Sequence, residues 1–463
     1  MGPSTSVPAD LNISVGGKPA AIVGFNPNAY DLEAPPFPLQ SAQYVIPAGS
    51  SGSSSDVTVT TSSGTTIAER ALTYLPSPRI FPLAGSTLVQ GIYDPVRDLY
   101  YFTDTNCIRV FSLTKGTWLP PITIPAPVGT VQRLWGIALP PNGNELALAD
   151  AGANVIYVVD PANPSSVKTL PFAPSGLPQG VIDHPVGISI SDAGVAYITA
   201  YVNGGSGYSA FFKLDTNTGV LTDYHLDGPD LYLNGFPEDI YLRTEISADN
   251  STVFFNADGG VFAIDTATDK VLFTTVDQNC CYGNYDLALS KNQTRLEASS
   301  YLYDLNLNAG TFLVLNDRES KNTSYVYGNK LSPDGSLLFE PSTSGIDIFD
   351  GQTGILLTRL ALPFALSANY DALVADGNDN VLIGITGAGD GIAVLDLTSV
   401  SKLQPLPLVK PSSLRLNIDE RDFMREVSSM NGQLDRGANL STLRPPFVPH
   451  VIRQLAPYPI PRR

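Results

Sequence analysis

The sequence predicts an all-β chain built largely from seven repeats of four strands, and three observations carry that expectation. Only 15% of the residues are charged, whereas Gly (40), Pro (38) and Tyr (21) are plentiful, a composition suited to short strands joined by many turns. Short apolar runs alternate with period two and stop at turn residues throughout the chain. From about residue 90 these runs recur at a near-constant spacing, and a repeat decides a fold before local propensity does.

Each repeat opens with an apolar strand that runs into a turn: Gly91-Ile-Tyr-Asp-Pro95, Gly136-Ile-Ala-Leu-Pro-Pro141, Gly187-Ile-Ser-Ile-Ser-Asp192, Glu245-Ile-Ser-Ala-Asp249, Asp286-Leu-Ala-Leu-Ser290, Asn329-Lys-Leu-Ser-Pro-Asp334 and Asp371-Ala-Leu-Val-Ala-Asp376. Aligning Tyr93, Leu139, Ile190, Ile246, Leu289, Leu331 and Val374 gives spacings of 46, 51, 56, 43, 42 and 43 residues. That is the period of a four-stranded propeller blade, so residues 77–409 are expected to form a seven-bladed β-propeller. The two longest intervals hold insertions, placed at Pro174–Asp183 and Gly228–Glu238.

A later strand recurs as well, in Ile156-Tyr-Val-Val-Asp160, Ala210-Phe-Phe-Lys-Leu-Asp215, Val261-Phe-Ala-Ile-Asp265, Ile346-Asp-Ile-Phe-Asp350 and Ile392-Ala-Val-Leu-Asp396. Each closes on Asp, whose carboxylate can accept hydrogen bonds from the free amides of the following turn. In these features the repeats resemble the YVTN surface propellers. The resemblance spans about 310 residues and implies a fold rather than an activity, because propellers host many activities.

Residues 1–76 read differently. Val15-Gly-Gly-Lys-Pro-Ala20, Tyr44-Val-Ile-Pro-Ala-Gly49, Asp56-Val-Thr-Val-Thr60, Ser63-Gly64-Thr65 and Ala71-Leu-Thr-Tyr74 follow one another between turn residues. In that order they resemble the IPT/TIG family of immunoglobulin-like domains, which implies a small β-sandwich. The family's opening strand and its glycine-rich turn are missing before Leu11. This implies either a fragment of a longer secreted protein or a sandwich completed by another segment. A fragment would also account for the missing signal peptide at Met-Gly-Pro-Ser.

Residues 410–463 break the pattern. Phe423, Val427, Met430 and Leu434 stand at helical spacing within Asn417–Leu434, predicting a short amphipathic helix, and a Pro-rich extended end follows. This segment has nine Lys/Arg against five Asp/Glu, a net of +4 that leaves −21 on the rest. It either wraps its own propeller or serves as a strap that engages a neighbouring molecule, including another copy, or the cell wall.

The overall charge of −17 argues against nucleic acid, whose phosphates such a surface repels. No apolar run reaches the roughly 18 to 20 residues of a spanning helix, so no transmembrane segment is expected. Cys280 and Cys281 are adjacent and read either as partly buried thiols or as a vicinal disulfide over the channel mouth; Cys107 reads as a core residue. His184, His225 and His450 lack metal-ligand spacing.

Innermost strands of a propeller line a central channel, so residues at their starts form a ring at its mouth. Three residues before the aligned apolar position stand Gln90, Gly136, Gly187, Arg243, Asp286, Gly328 and Asp371, and beside them Trp135, Tyr285, Tyr327 and Tyr370. Two aspartates, an arginine and an aromatic fringe suit a cation, a sugar or a small polar ligand. Equally, Arg243 serves to neutralise the two aspartates. No cofactor is called for; a divalent cation such as calcium is the ion that Asp286 and Asp371 would hold. His184, before an inner strand, is a candidate general base.

Calcium-dependent lactonases and virginiamycin-lyase-like enzymes use propeller mouths, and the aspartates here supply only part of a lactonase set. Quinoprotein propellers, with eight blades and tryptophan docking repeats, do not fit a chain whose tryptophans are Trp118 and Trp135. The expectation is therefore an extracellular or cell-surface interaction or assembly module, binding a protein, surface or glycan. The competing readings are a mouth enzyme using Asp286, Asp371, Arg243 and His184, and a carbohydrate-binding propeller using Tyr285 and Tyr370.

Overall fold

The computed structural model describes residues 8–398 except 30–38, 51–52, 75–76, 175–181, 204–210, 225–242, 258–259, 277–286, 299–300, 307–310, 318–327, 343–344, 353, 355, 363, 368–371 and 376–379. The expected helix within 417–434 and the Pro-rich end lie outside the described residues. The chain divides into two compact units, whose described residues fall within 1–48 and 55–71 for one and within 49–54 and 72–404 for the other.

The smaller unit is built on one five-stranded sheet of β1 (Asn12–Val15), β2 (Lys18–Ala29), β3 (Leu39–Val45), β4 (Ser54–Thr61) and β5 (Gly64–Thr73), in the order β3-β2-β1-β4-β5. Gly16 and Gly17 make the two-residue turn between β1 and β2 with φ of 56° and 74°. Both torsions are positive, as the hairpin turn that follows strand twist requires, and only glycine takes two in succession without strain.

After β6 (Arg79–Pro82), the larger unit forms seven four-stranded antiparallel sheets among the described residues. The first holds β7 (Gly91–Asp94), β8 (Leu99–Asp104), β9 (Cys107–Ser112) and β10 (Thr117–Thr123). The second holds β11 (Leu134–Ala138), β12 (Leu146–Asp150), β13 (Val155–Asp160) and β14 (Asn163–Pro171), and the third β15 (Ile182–Ile190), β16 (Val195–Asn203), β17 (Phe211–Asp215) and β18 (Leu221–Asp223). The fourth holds β19 (Thr244–Ile246), β20 (Thr252–Ala257), β21 (Gly260–Asp265) and β22 (Val271–Val276), and the fifth β23 (Leu287–Leu289), β24 (Arg295–Ala298), β25 (Tyr301–Asn306) and β26 (Thr311–Asp317). The sixth holds β27 (Lys330–Leu331), β28 (Leu337–Ser342), β29 (Gly345–Asp350) and β30 (Leu356–Ala361). The seventh has β31 (Leu373–Ala375), β32 (Val381–Ile385) and β33 (Gly391–Asp396), and takes its outer strand, β6, from before the first repeat.

Each sheet packs on the next through its own apolar cluster. Tyr101 and Ile108 meet Leu148 and Tyr157 between the first and second sheets, Ile156 meets Ile198 and Phe212 between the second and third, and the series continues to the seventh. The seventh then packs on the first through Val374, Ile383, Tyr100 and Phe102. Among the described residues each of these seven sheets thus packs on the sheet before it and the sheet after it, the arrangement a set of amphipathic sheets reaches when the order closes on itself.

Glycines allow the first strands to crowd. A Cβ on Gly136 would lie 2.5 Å from Val186 O in the next sheet, and one on Gly91 would meet Val374 at 2.8 Å. The terminal aspartates of the third strands do cap the turns: Asp215 Oδ1 accepts from the amides of Asn217 and Thr218, Asp265 Oδ1 from those of Ala267 and Thr268, and Asp160, Asp350 and Asp396 each from one amide two residues on.

The turns between first and second strands carry a further set of bonds from sheet to sheet. Arg97 Nη1 donates to Gly143 O, Asn142 N to Asp192 Oδ1, Asp192 N to Asn250 Oδ1, Asn250 Nδ2 to Asp192 Oδ2, and Asn292 Nδ2 to Asp334 O. Asn250 holds a left-handed φ of 60°, a conformation that asparagine tolerates better than most side chains.

Candidate functional site

Gln90 and Arg243 each stand one residue or less before a first strand, on the first and fourth sheets. Both are buried, at 2% and 3% exposure. With the Gln90 amide turned so that its nitrogen donates to Trp135 O (3.2 Å), its oxygen accepts from Arg243 Nη2 at 2.8 Å. This bond reaches from the first sheet to the fourth, across the space that the seven first strands enclose. A guanidinium offers five donors on a long stem, which is why arginine and no shorter side chain can make the span.

The neighbouring groups hold both ends in place. Thr103 Oγ1 accepts from Gln90 N and donates to Trp135 O, both at 3.1 Å, joining the first sheet to the second. Arg243 N donates to Asn256 Oδ1 within the fourth sheet. Ser189 and Thr244 hydroxyls meet at 2.9 Å between the third and fourth sheets, and Asn329 Nδ2 donates to Glu297 Oε1 at 3.1 Å between the sixth and fifth. A second long contact joins Lys330 Nζ to Glu245 Oε1 at 3.7 Å, from the sixth sheet to the fourth. Among the described residues Arg243 and Glu297 are buried here, and Lys330 and Glu245 are partly buried. A buried charge needs such partners, because desolvation opposes its ionised form.

Trp135 lies against Arg133, whose guanidinium carbon is 4.5 Å from the indole centroid, so one ring face is already covered by a cation. His184 is half-buried, and its Nδ1 lies 2.7 Å from Asn154 Oδ1 in the turn between β12 and β13. That bond ties the third sheet to the second. Cys107 is buried, and burial raises its thiol pKa above the ordinary value.

The structure therefore brings Gln90, the Trp135 carbonyl and Arg243 together, and sets His184 against Asn154. Tyr285, Asp286, Tyr327, Tyr370, Asp371, Cys280 and Cys281 lie outside the described residues. Among the described residues, no group of three or more His, Cys, Asp or Glu is placed to hold a metal ion, and no helix is long and apolar enough to cross a membrane. The ring-position reasoning did not find Thr103, Asn256, Glu297, Asn329, Glu245 or Lys330. Glu297 carried a signal, a carboxylate between Leu296 and Ala298 inside an apolar strand.

No protein-family model matches this sequence, and no curated protein matches it. Solved structures do resemble it. The β-propeller domain of Cps50 (Swd1) from Myceliophteria thermophila matches with a TM-score of 0.51 at 11% identity, over 69% of this chain and 99% of that one. Hydrazine synthase from Kuenenia stuttgartiensis matches with a TM-score of 0.50 at 14% identity, over 68% and 97%. The fold is a β-propeller. Identities this low speak for the fold alone, so the activity of either neighbour does not transfer to this propeller.

Proposed function

We propose that the chain is an extracellular or cell-surface interaction module: a seven-bladed propeller of the YVTN type, preceded by an IPT/TIG immunoglobulin-like domain, that presents its turn-lined faces to a protein, surface or glycan partner, with self-association through the basic segment 410–463 as the route to assembly. The observation that carries this reading is the bond between Gln90 and Arg243. Gln90 and Arg243, two polar groups at the first-strand starts that would grip a ligand in an open mouth, are held by each other and by Thr103, Asn256 and the Trp135 carbonyl. Binding capacity then resides in the turns at the ends of the sheets, where loops carry recognition on a rigid scaffold.

The test is surface labelling of intact source cells followed by cross-linking. A labelled chain joined reproducibly to one surface protein or glycan supports the proposal. Turnover of a lactone by the purified chain with calcium, lost on Asp286→Asn with Asp371→Asn, would replace it with a mouth enzyme.

A further inference from the structure

The tripeptide that accepts an N-linked glycan is Asn-x-Ser/Thr with x other than Pro. Among the described residues it stands at Asn12-Ile-Ser14, Asn250-Ser-Thr252 and Asn292-Gln-Thr294; Asn322-Thr-Ser324 and Asn439-Leu-Ser441 lie outside them. Which of the three takes a sugar depends on what each amide already holds. Asn250 Nδ2 donates to Asp192 Oδ2 while Asn250 Oδ1 accepts from Asp192 N, joining the fourth sheet to the third. Asn292 Nδ2 donates to Asp334 O at 2.6 Å, joining the fifth sheet to the sixth. A sugar on either nitrogen would crowd the neighbouring turn and break the latch.

Asn12 is placed differently. It is exposed at the start of β1, and among the described residues its Nδ2 bonds to Asp10 O, two residues back, which leaves the second amide hydrogen to react. β1 is the middle strand of its sheet, and alternation along it turns Asn12 and Ser14 to one side and the buried Ile13 and Val15 to the other. Residues opposite one another on paired strands share a face: Thr60 stands across from Asn12, and Pro19 and Thr58 across from Ser14. Ala21, two residues on from Pro19, pairs with Val45 of β3. The Thr60 and Thr65 hydroxyls meet at 3.1 Å, which puts Ile67 of β5 on the same side. Val45 and Ile67 are 55% and 56% exposed. Asn12 therefore stands mid-sheet on a hydroxyl-rich face, with an exposed aliphatic side chain two strands away in each direction, roughly 10–12 Å at ordinary strand spacing.

We propose that Asn12 carries an N-linked glycan that lies over this face, and that Asn250 and Asn292 stay bare. This rests on the extracellular or cell-surface reading, because the sugar donor is a lipid-diphosphate-linked oligosaccharide used by a membrane-bound transferase on the export route. The transfer forms a bond between Asn12 Nδ2 and the anomeric carbon of the sugar and breaks the bond from that carbon to the diphosphate oxygen. The lipid diphosphate leaves, and one Nδ2 proton passes to a base of the transferase. Ser14 presents the hydroxyl of the tripeptide on the same side of the strand. A bulky, solubilising oligosaccharide at this point screens Val45 and Ile67 from other chains.

The test reads the full-length chain, recovered from surface-labelled source cells, by intact-glycopeptide mass spectrometry. An oligosaccharide mass on Asn12, with unmodified Asn250 and Asn292, supports the proposal. A bare Asn12, or sugar on Asn250 or Asn292, overturns it. Variants secreted by a host that glycosylates asparagine supply the second arm: the added mass should vanish in Asn12→Gln and Ser14→Ala and persist in Ser14→Thr. Sugar that survives Asn12→Gln at this tripeptide would place it on the Ser14 hydroxyl and overturn the assignment. A surface-labelled chain with a bare Asn12 sinks this proposal and leaves the cell-surface reading standing, whereas a chain that no surface label reaches removes both.

Discussion

Replacing Phe81 by Ala should loosen the seam between β6 and β33 before it disturbs anything else. The ring is half-buried and lies 4.8 Å from Phe111, with the Arg79 guanidinium 5.9 Å from its centroid. Withdrawing half of a phenyl ring from apolar surroundings costs about 1–1.5 kcal/mol, and an aromatic pair adds about 1 kcal/mol. The exposed cation contact contributes roughly 0.5 kcal/mol, and because these contributions overlap we expect about 2 kcal/mol in all. That corresponds to a roughly thirty-fold rise in the opening equilibrium of the seam. Hydrogen exchange read by mass spectrometry on Gly391–Val394 should show the loss, while Val155–Asp160 in the second sheet keeps its protection. Equal loss in both segments would refute the reasoning, since it would make Phe81 a contributor to global stability and not to one seam.

The remaining predictions concern the strut, the packing, the turn ladder and pH. Gln90→Leu and Arg243→Met should each lower the thermal midpoint, with a coupling of about 1–2 kcal/mol in a double-mutant cycle; a coupling near zero would mean that the bond between them does not hold the ring. Gly136→Ala should cost about 3 kcal/mol in denaturant unfolding, because its Cβ would lie 2.5 Å from Val186 O, and a neutral result would show that β11 and β15 can part freely. Asp192→Ala removes the acceptor of Asn142 N and Asn250 Nδ2 and should lower stability by about 1–2 kcal/mol, read as a midpoint shift in denaturant unfolding. At high pH, burial followed by the charge of Asp94 pushes Tyr101 up to about 12, and burial followed by Asp269 pushes Tyr197 and Tyr224 up as well. An unfolded tyrosine ionises near pH 10, so the stability these residues confer is complete below about pH 10 and is lost as pH rises through their folded values. Tyrosinate absorbance from Tyr101, Tyr197 and Tyr224, read as the loss caused by Phe at each position, should therefore appear together with unfolding, and these three titrating near pH 10 in a folded chain would contradict this. At low pH the sign reverses: the Ser247 hydroxyl and Ser251 amide lower Asp249, and the Thr398 hydroxyl and amide lower Asp396. Their contribution is present above the ordinary carboxylate range and fades as pH falls through the lowered values, which acid titration followed by circular dichroism will show.

How far the sequence could be read depended on whether a feature was local. Asp215 and Asp265 end their strands and cap the turn within three residues, so a repeated Asp is visible as a repeated turn and the repeats as repeated sheets. β6 was invisible by the same logic: four residues with no partner nearby in sequence, whose strand state depends on β33 at the other end of the ring. The candidate site divides in the same way. Alignment of first-strand starts placed Gln90, Trp135 and Arg243 on one ring, and they do come together; it could not say that Arg243 would reach the opposite sheet and bind Gln90, because register fixes where a Cα stands and not how far a side chain extends. Glycine at Gly136 and arginine at Arg243 occupy equivalent places, yet the first lets strands approach and the second bridges the space they leave. A polar residue at a ring position is for this reason as readily a strut as a ligand, and the two are separated only by what its far end touches. For Gln90 and Arg243 the far ends touch each other, so these two ring residues are a strut.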